Sequence, residues 1–147
     1  MGKTFSVEDG NLNVSTIIGS RSVKYKDIDL TFTNKAVSGE IFRKEDAAAV
    51  KQAVKNLILT NFAEKPFKPV FGGNLRALLF DLADADAKED IEDNINTAIN
   101  KYEPRVSVIR TIATVNPDRN AVDVSILFQV INTQEEVSLS IVLARLR

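Results

Sequence analysis

From residue 105 onward the chain never returns to a helical period. Residues 105–116 are rich in Val, Ile and Thr, and residues 122–130 set Val122, Val124, Ile126, Phe128 and Val130 on one face against Asp123, Ser125 and Gln129 on the other. Val137, Leu139, Ile141 and Leu143 alternate along a last run. The turn-forming stretches Asn116-Pro117-Asp118-Arg119-Asn120 and residues 132–136 separate the three runs. Connections this short cannot carry a parallel crossover, so the pattern dictates an antiparallel meander with one apolar face to cover.

The cover is supplied upstream. Ala47, Val50, Val54, Leu57 and Ile58 recur at three- and four-residue steps with Lys51 and Lys55 opposite, which predicts a helix opened by Asp46 as cap and ended near Asn61 or Phe62. Pro66 and Pro69 then forbid both helix and central strand. Asn74 begins a short helix burying Leu75, Leu78, Leu79 and Leu82. A longer one follows from about Asp86 to Tyr102, with Ile91, Ile95, Ala98, Ile99 and Tyr102 as its stripe, and Pro104 stops it. Before these, residues 27–33 alternate, with Ile28, Leu30 and Phe32 on the side expected to be buried, and residues 34–39 turn the chain. The expected fold is α+β: residues 21–147 form one compact domain, an antiparallel sheet with helices on one face, preceded by an extended arm over residues 1–20.

Composition removes much chemistry. There is no Cys, His or Trp, so disulfides, thiolate metal sites, Ser-His and Cys-His catalysis are excluded, and no cofactor is expected. Nineteen Lys and Arg against 20 Asp and Glu give a net charge of −1, which supplies no field for nucleic acid or anionic membrane, and neither is expected as a partner. No apolar stretch approaches the roughly 18 residues of a membrane span, so the chain reads as soluble and intracellular. Paired carboxylates survive as candidate chemistry. The densest acidic run, Asp81, Asp84, Asp86, Glu89, Asp90, Glu92 and Asp93, falls around a helix start, where the dipole and solvent favour plain ionised side chains. A glycosidase would need one acid in an apolar pocket and aromatic sugar platforms, and the only Tyr residues are Tyr25 and Tyr102.

One combination of motifs is specific. Phe62, then Lys65-Pro66-Phe67-Lys68-Pro69-Val70-Phe71-Gly72, Leu75 with Leu78-Leu79-Phe80, and Ile95, Ile99 and Tyr102-Glu103-Pro104-Arg105-Val106 resemble the baseplate wedge family of contractile-tailed bacteriophages, often labelled lysozyme-like, which includes the type VI secretion component TssE. The resemblance covers residues 22–147, and Tyr25-Lys26-Asp27-Ile28-Asp29-Leu30 with Leu57-Ile58-Leu59-Thr60 looks like the phage branch. It implies a structural subunit of the virion tail baseplate, assembled in the host cytoplasm with other wedge proteins and their helical core bundle. It also implies a fold similar to the strand-exchanging part of the tail sheath subunit, which would seat the first sheath ring. The alternatives are a tail peptidoglycan glycosidase and the equivalent secretion-system component.

Individual residues carry two readings each. Glu103 and Arg105, straddling Pro104, are either an intramolecular ion pair fixing the helix-to-strand junction or a docking knot in which the planar guanidinium recognises carboxylates or carbonyls of the core bundle. Val137, Leu139, Ile141 and Leu143 lie on a last strand that is either covered within its own sheet or an edge that accepts a partner's strand. Phe67, Phe71, Leu75, Leu79 and Phe80 are expected in the core, and Gly72-Gly73 at a tight approach to the short helix.

Overall fold

The computed structural model describes residues 25–79, 87–116, 119 and 121–144. The expected arm over residues 1–20 and its junction to the domain lie outside the described residues, as do Phe80, Asp81, Leu82, Asp84, Asp86 and residues 145–147.

The meander forms as the alternation requires. β3 (Val106–Asn116), β4 (Ala121–Val130) and β5 (Glu135–Ala144) pair antiparallel in the order β3-β4-β5. The register sets Ala121 opposite Ala144 and Val130 opposite Glu135, and a bulge interrupts the β3–β4 ladder between Val108 and Arg110. Central β4 buries Val122, Val124, Ile126, Phe128 and Val130. Each such side chain contributes roughly 1.5–3 kcal/mol by leaving water, which makes this strand the anchor of the domain.

Two helices cover the inward face. α1 (Asp46–Leu59) buries Val50, Val54, Leu57 and Ile58 and lies toward β5. α3 (Ala87–Tyr102) buries Ile91, Ile95, Ala98 and Ile99 and lies on β3. Between them, α2 (Leu75–Leu78) contributes Leu75, and Leu79 follows it into the core. The fold is α+β, with both layers sharing one apolar cluster.

Three local expectations are overturned. Asp46 is the first helical residue, in a left-handed conformation, and Glu45 occupies the cap position without a side-chain cap bond. The Asp46 carboxylate instead accepts the Tyr25 N–H (3.1 Å) while the Asp46 N–H donates to the Tyr25 carbonyl (2.7 Å), so it ties the incoming chain to the helix start.

The strand expected over residues 27–33 shrinks to β1 (Lys26–Ile28), paired only with β2 (Arg43–Glu45). Its supposed core side is exposed: Ile28 is 51%, Leu30 49% and Phe32 63% accessible. The cause is local. Asp29 accepts the Thr31 N–H (3.0 Å), an Asx turn that takes the chain out of the extended conformation, and Phe32 follows with φ 52°. Gln52 on α1 holds this hairpin, donating to the Ile28 carbonyl (2.8 Å) and accepting from Lys44 Nζ (2.8 Å), which also pairs with Asp29 (3.2 Å).

Phe67, expected in the core, is 102% exposed, with φ 64°. Phe71 is half-buried against Tyr102, their ring centroids 4.9 Å apart. The two prolines and the glycines decide this. A side chain at Gly72 would collide with the Thr60 carbonyl and one at Gly73 would meet the Ile58 carbonyl, so the loop returns close against the end of α1 at its Gly-Gly end and projects outward at Phe67.

Candidate docking site

α3 hands over to β3 through Glu103, Pro104 and Arg105. The Glu103 N–H closes the last helical turn on Ile99 (2.8 Å), and the Val106 N–H returns to the Glu103 carbonyl (3.2 Å). Pro104 fixes the reversal between them. The Arg105 carbonyl accepts from Ile131 (3.0 Å), so the junction is also clamped to the end of β4. On this frame the side chains form a bidentate fork, Arg105 Nε to Glu103 Oε1 at 2.5 Å and Nη2 to Oε2 at 2.7 Å.

The fork places the two groups differently. Glu103 is the one buried carboxylate among the described residues, and both of its oxygens are engaged by Arg105. The Arg105 side chain remains 35% exposed, with its guanidinium carbon 5.2 Å from the centroid of the Tyr25 ring. Hydrogen bonding to Glu103 holds the guanidinium more firmly protonated than an ordinary arginine, against the opposing effect of partial burial. The intramolecular ion pair is thus formed. What faces outward is a cation whose orientation is already fixed and whose remaining N–H groups are not used by Glu103.

β5 is the second element. The side chains of Val137, Leu139, Ile141 and Leu143 all turn inward and are buried under the helices. A partner would therefore meet the main chain of β5 and the outward residues Ser138, Ser140 and Val142, the last 66% exposed. Among the described residues β5 pairs with β4 alone. A groove of about 560 Å³ runs beside it, lined by Lys44 of β2, by Ala48, Lys51 and Lys55 of α1, and by Ser138 and Ser140 from the strand. Because those serines point away from the helices, a cavity touching both sets lies over the edge of β5 that no described strand covers. A further groove of about 260 Å³ continues along Val142, Leu143 and Ala144 beside Ile58, Leu59 and Arg76.

The described part of the acidic run, Glu89, Asp90, Glu92 and Asp93, forms no converging cluster. Glu89, Asp90 and Asp93 are exposed on α3. Glu92, expected to be solvated, accepts the Ala113 N–H of β3 (2.8 Å), a role its place in an acidic run concealed. No cluster of three acids that could hold a metal ion occurs among the described residues, and no described helix is long and apolar enough to cross a membrane.

A family model described as baseplate wedge protein gp25 matches residues 44–135, more than half of the chain, which includes Glu103, Pro104 and Arg105 and stops at the first residue of β5. The baseplate wedge protein gp25 of Enterobacteria phage T4 is 29% identical over 116 residues, covering 77% of this chain and 85% of that protein. The fold is similar to a chain of the anti-feeding prophage baseplate, with a TM-score of 0.65 and 17% identity over 79% of this chain and 91% of that one. It is also similar to a putative tail lysozyme of Geobacter sulfurreducens, with a TM-score of 0.59 and 17% identity over 67% of this chain and 89% of that one.

Proposed function

The chain belongs to the baseplate wedge protein gp25 family, and on that premise we propose that it joins the wedge core to the first ring of tail sheath. Its role is structural, within a phage tail baseplate. In the proposed arrangement Glu103, Pro104 and Arg105 dock on the helical core bundle of the wedge, and the edge of β5, over Val137, Leu139, Ile141 and Leu143, takes a strand from a sheath subunit. The other partners are wedge proteins, and assembly takes place in the host cytoplasm.

The observation that carries this reading is the edge of β5, which pairs with no described strand but β4 and has grooves along it, since strand addition needs free main-chain groups and room for alternate side chains. The docking half is supported by the preset fork: Arg105 is already oriented by Glu103, so little further order is lost on binding. Catalysis is not part of the proposal. Glu103 sits against a cation, whereas a proton-donating acid needs an apolar site that raises its pKa.

Arg105→Ala is expected to remain a folded monomer that no longer joins the wedge, read by co-purification and circular dichroism. If that variant unfolds, the pair serves the fold alone. A proline scan over Ser138, Leu139, Ser140, Ile141 and Val142 sorts the edge by itself. Positions whose N–H points to β4 lose the fold, and the alternate positions stay folded but fail to seed sheath, as counted by electron microscopy. Folded proline variants that seed sheath normally would sink the strand-addition reading. Purified cell walls should not clear in a turbidity assay; lysis that depends on a carboxylate pair would replace this function with a glycosidase.

A further inference from the structure

Phe67 is held in a position that gives the isolated chain nothing in return. Its side chain is fully exposed, and its backbone is left-handed, a conformation that strains any residue carrying a Cβ. The loop around it is nonetheless built. The Ala63 N–H donates to the Pro69 carbonyl (2.7 Å), Phe71 to Lys68 (3.1 Å), and the Tyr102 hydroxyl to the Val70 carbonyl (2.8 Å). Pro66 and Pro69 stiffen it further. Rigid loops that carry both a strained backbone and an exposed aromatic ring are organised for contact with something outside the chain.

We propose that Phe67 is the anchor of the wedge-core interface, inserting its ring into an apolar, acid-rimmed pocket of a neighbouring wedge protein. Position argues for that partner. The loop is bonded through Val70 to Tyr102, the residue immediately before Glu103, which ties it to the helix end that leads into the Glu103, Pro104 and Arg105 junction. Charge argues for the acidic rim. Lys65 and Lys68 bracket the ring, while the one acid of the loop, Glu64, has both oxygens occupied by Asn61 (2.8 and 2.6 Å). Lys65 lies over Phe71 at 4.0 Å, which leaves Lys68 beside the ring to meet a partner's carboxylate. Both prolines reduce the order lost on docking, which favours a tight single-ring pocket.

The inference rests on the docking reading of Arg105, and the test separates the two. The full-length chain is co-expressed with the wedge proteins of its own tail, and affinity is measured by sedimentation beside the melting temperature. Phe67→Gly should weaken the complex by at least about thirtyfold, the effect of losing a hot-spot residue. The same variant should keep its melting temperature or gain up to roughly 5 °C, because glycine relieves the left-handed strain. Lys68→Glu should weaken it by about three- to fivefold, more at low salt. A Phe67→Gly protein that binds within about twofold of wild type, or that melts lower, overturns the inference. So does wild-type self-association, or binding to phosphatidylglycerol vesicles, that the substitution abolishes. If Arg105→Ala loses the complex while Phe67→Gly keeps it, only the anchor fails; if the wild type forms no complex, the docking reading fails with it.

Discussion

The two edges of the sheet are treated in opposite ways. At β3 the ladder is bulged after Val108, the Ala113 N–H is taken by Glu92 of α3, and the Thr111 hydroxyl bonds Asn96 of the same helix at 2.6 Å. At β5 the strand is regular over ten paired residues, and no described strand pairs beyond it. A bulge and side-chain acceptors are the devices by which proteins blunt an edge against further pairing. In the proposed function, the long, unbulged β5 edge bordered by grooves is the one that takes a partner's strand. The contrast sets a bulged edge bonded to its covering helix at β3 against a regular edge at β5, and β5 also buries its inward face more completely than β3 does.

The largest test of that contrast lies in the inward side chains of β5. Leu139→Ala should cost about 2–5 kcal/mol in urea unfolding, as for other buried leucines. Ser140→Ala, one residue away on the outward face, should stay within about 0.5 kcal/mol. Equal costs would mean that β5 is not a two-faced edge.

Next is the guard on β3. Glu92→Ala leaves the buried Ala113 N–H without its acceptor, and about 1–3 kcal/mol should be lost, with faster hydrogen exchange at that amide. The variant should also associate through the unguarded edge in analytical ultracentrifugation. A monomer with an unchanged amide would show that β3 needs no guard and that the two edges are alike.

Val142→Lys should then leave stability within about 0.5 kcal/mol, since this residue is exposed, yet should hinder strand uptake at β5 by placing a charge on the edge. The smallest effect lies away from the sheet, in the β1–β2 hairpin. The Asp29 carboxyl is held below the usual aspartate range, first by the Thr31 N–H and further by Lys44. Its contribution is therefore present above an ordinary aspartate pKa of about 3.9 and fades as pH falls through the lowered value. An NMR titration of the Thr31 amide should show a midpoint below that ordinary value, and Asp29→Asn should remove it. A midpoint at or above it would mean that the Asx turn does not hold Asp29 ionised.

Periodicity made most of the fold legible. The alternation of Val122, Val124, Ile126, Phe128 and Val130 and the stripe of Ile91, Ile95 and Ile99 report burial on one face, and one face is what a two-layer domain offers. The same rule misread Ile28, Leu30 and Phe32, because alternation states that a segment is amphipathic without supplying a surface to cover it. Phe67 was misread for a related reason: apolar residues usually go inside, but the converse does not hold. Its signal was present in Lys-Pro-Phe-Lys-Pro, where two prolines and two lysines leave a lone ring little way inward. At the junction the residues were legible and the pairing was not, since nothing in Glu103-Pro104-Arg105 says whether the carboxylate faces its own arginine or a partner's.

Sequence alone determined the α+β class, the order of the three long strands, the two covering helices and the absence of thiol and imidazole chemistry, because periods, prolines and missing residue types act locally. Tertiary structure decided that Glu92 takes the Ala113 N–H at the β3 edge, that Glu103 spends both oxygens on Arg105, and that Phe67 stands outside. Each of those depends on which groups meet across the fold, and Glu92 reaches Ala113, or Gly72 the Thr60 carbonyl, only once the helices have been laid on the sheet.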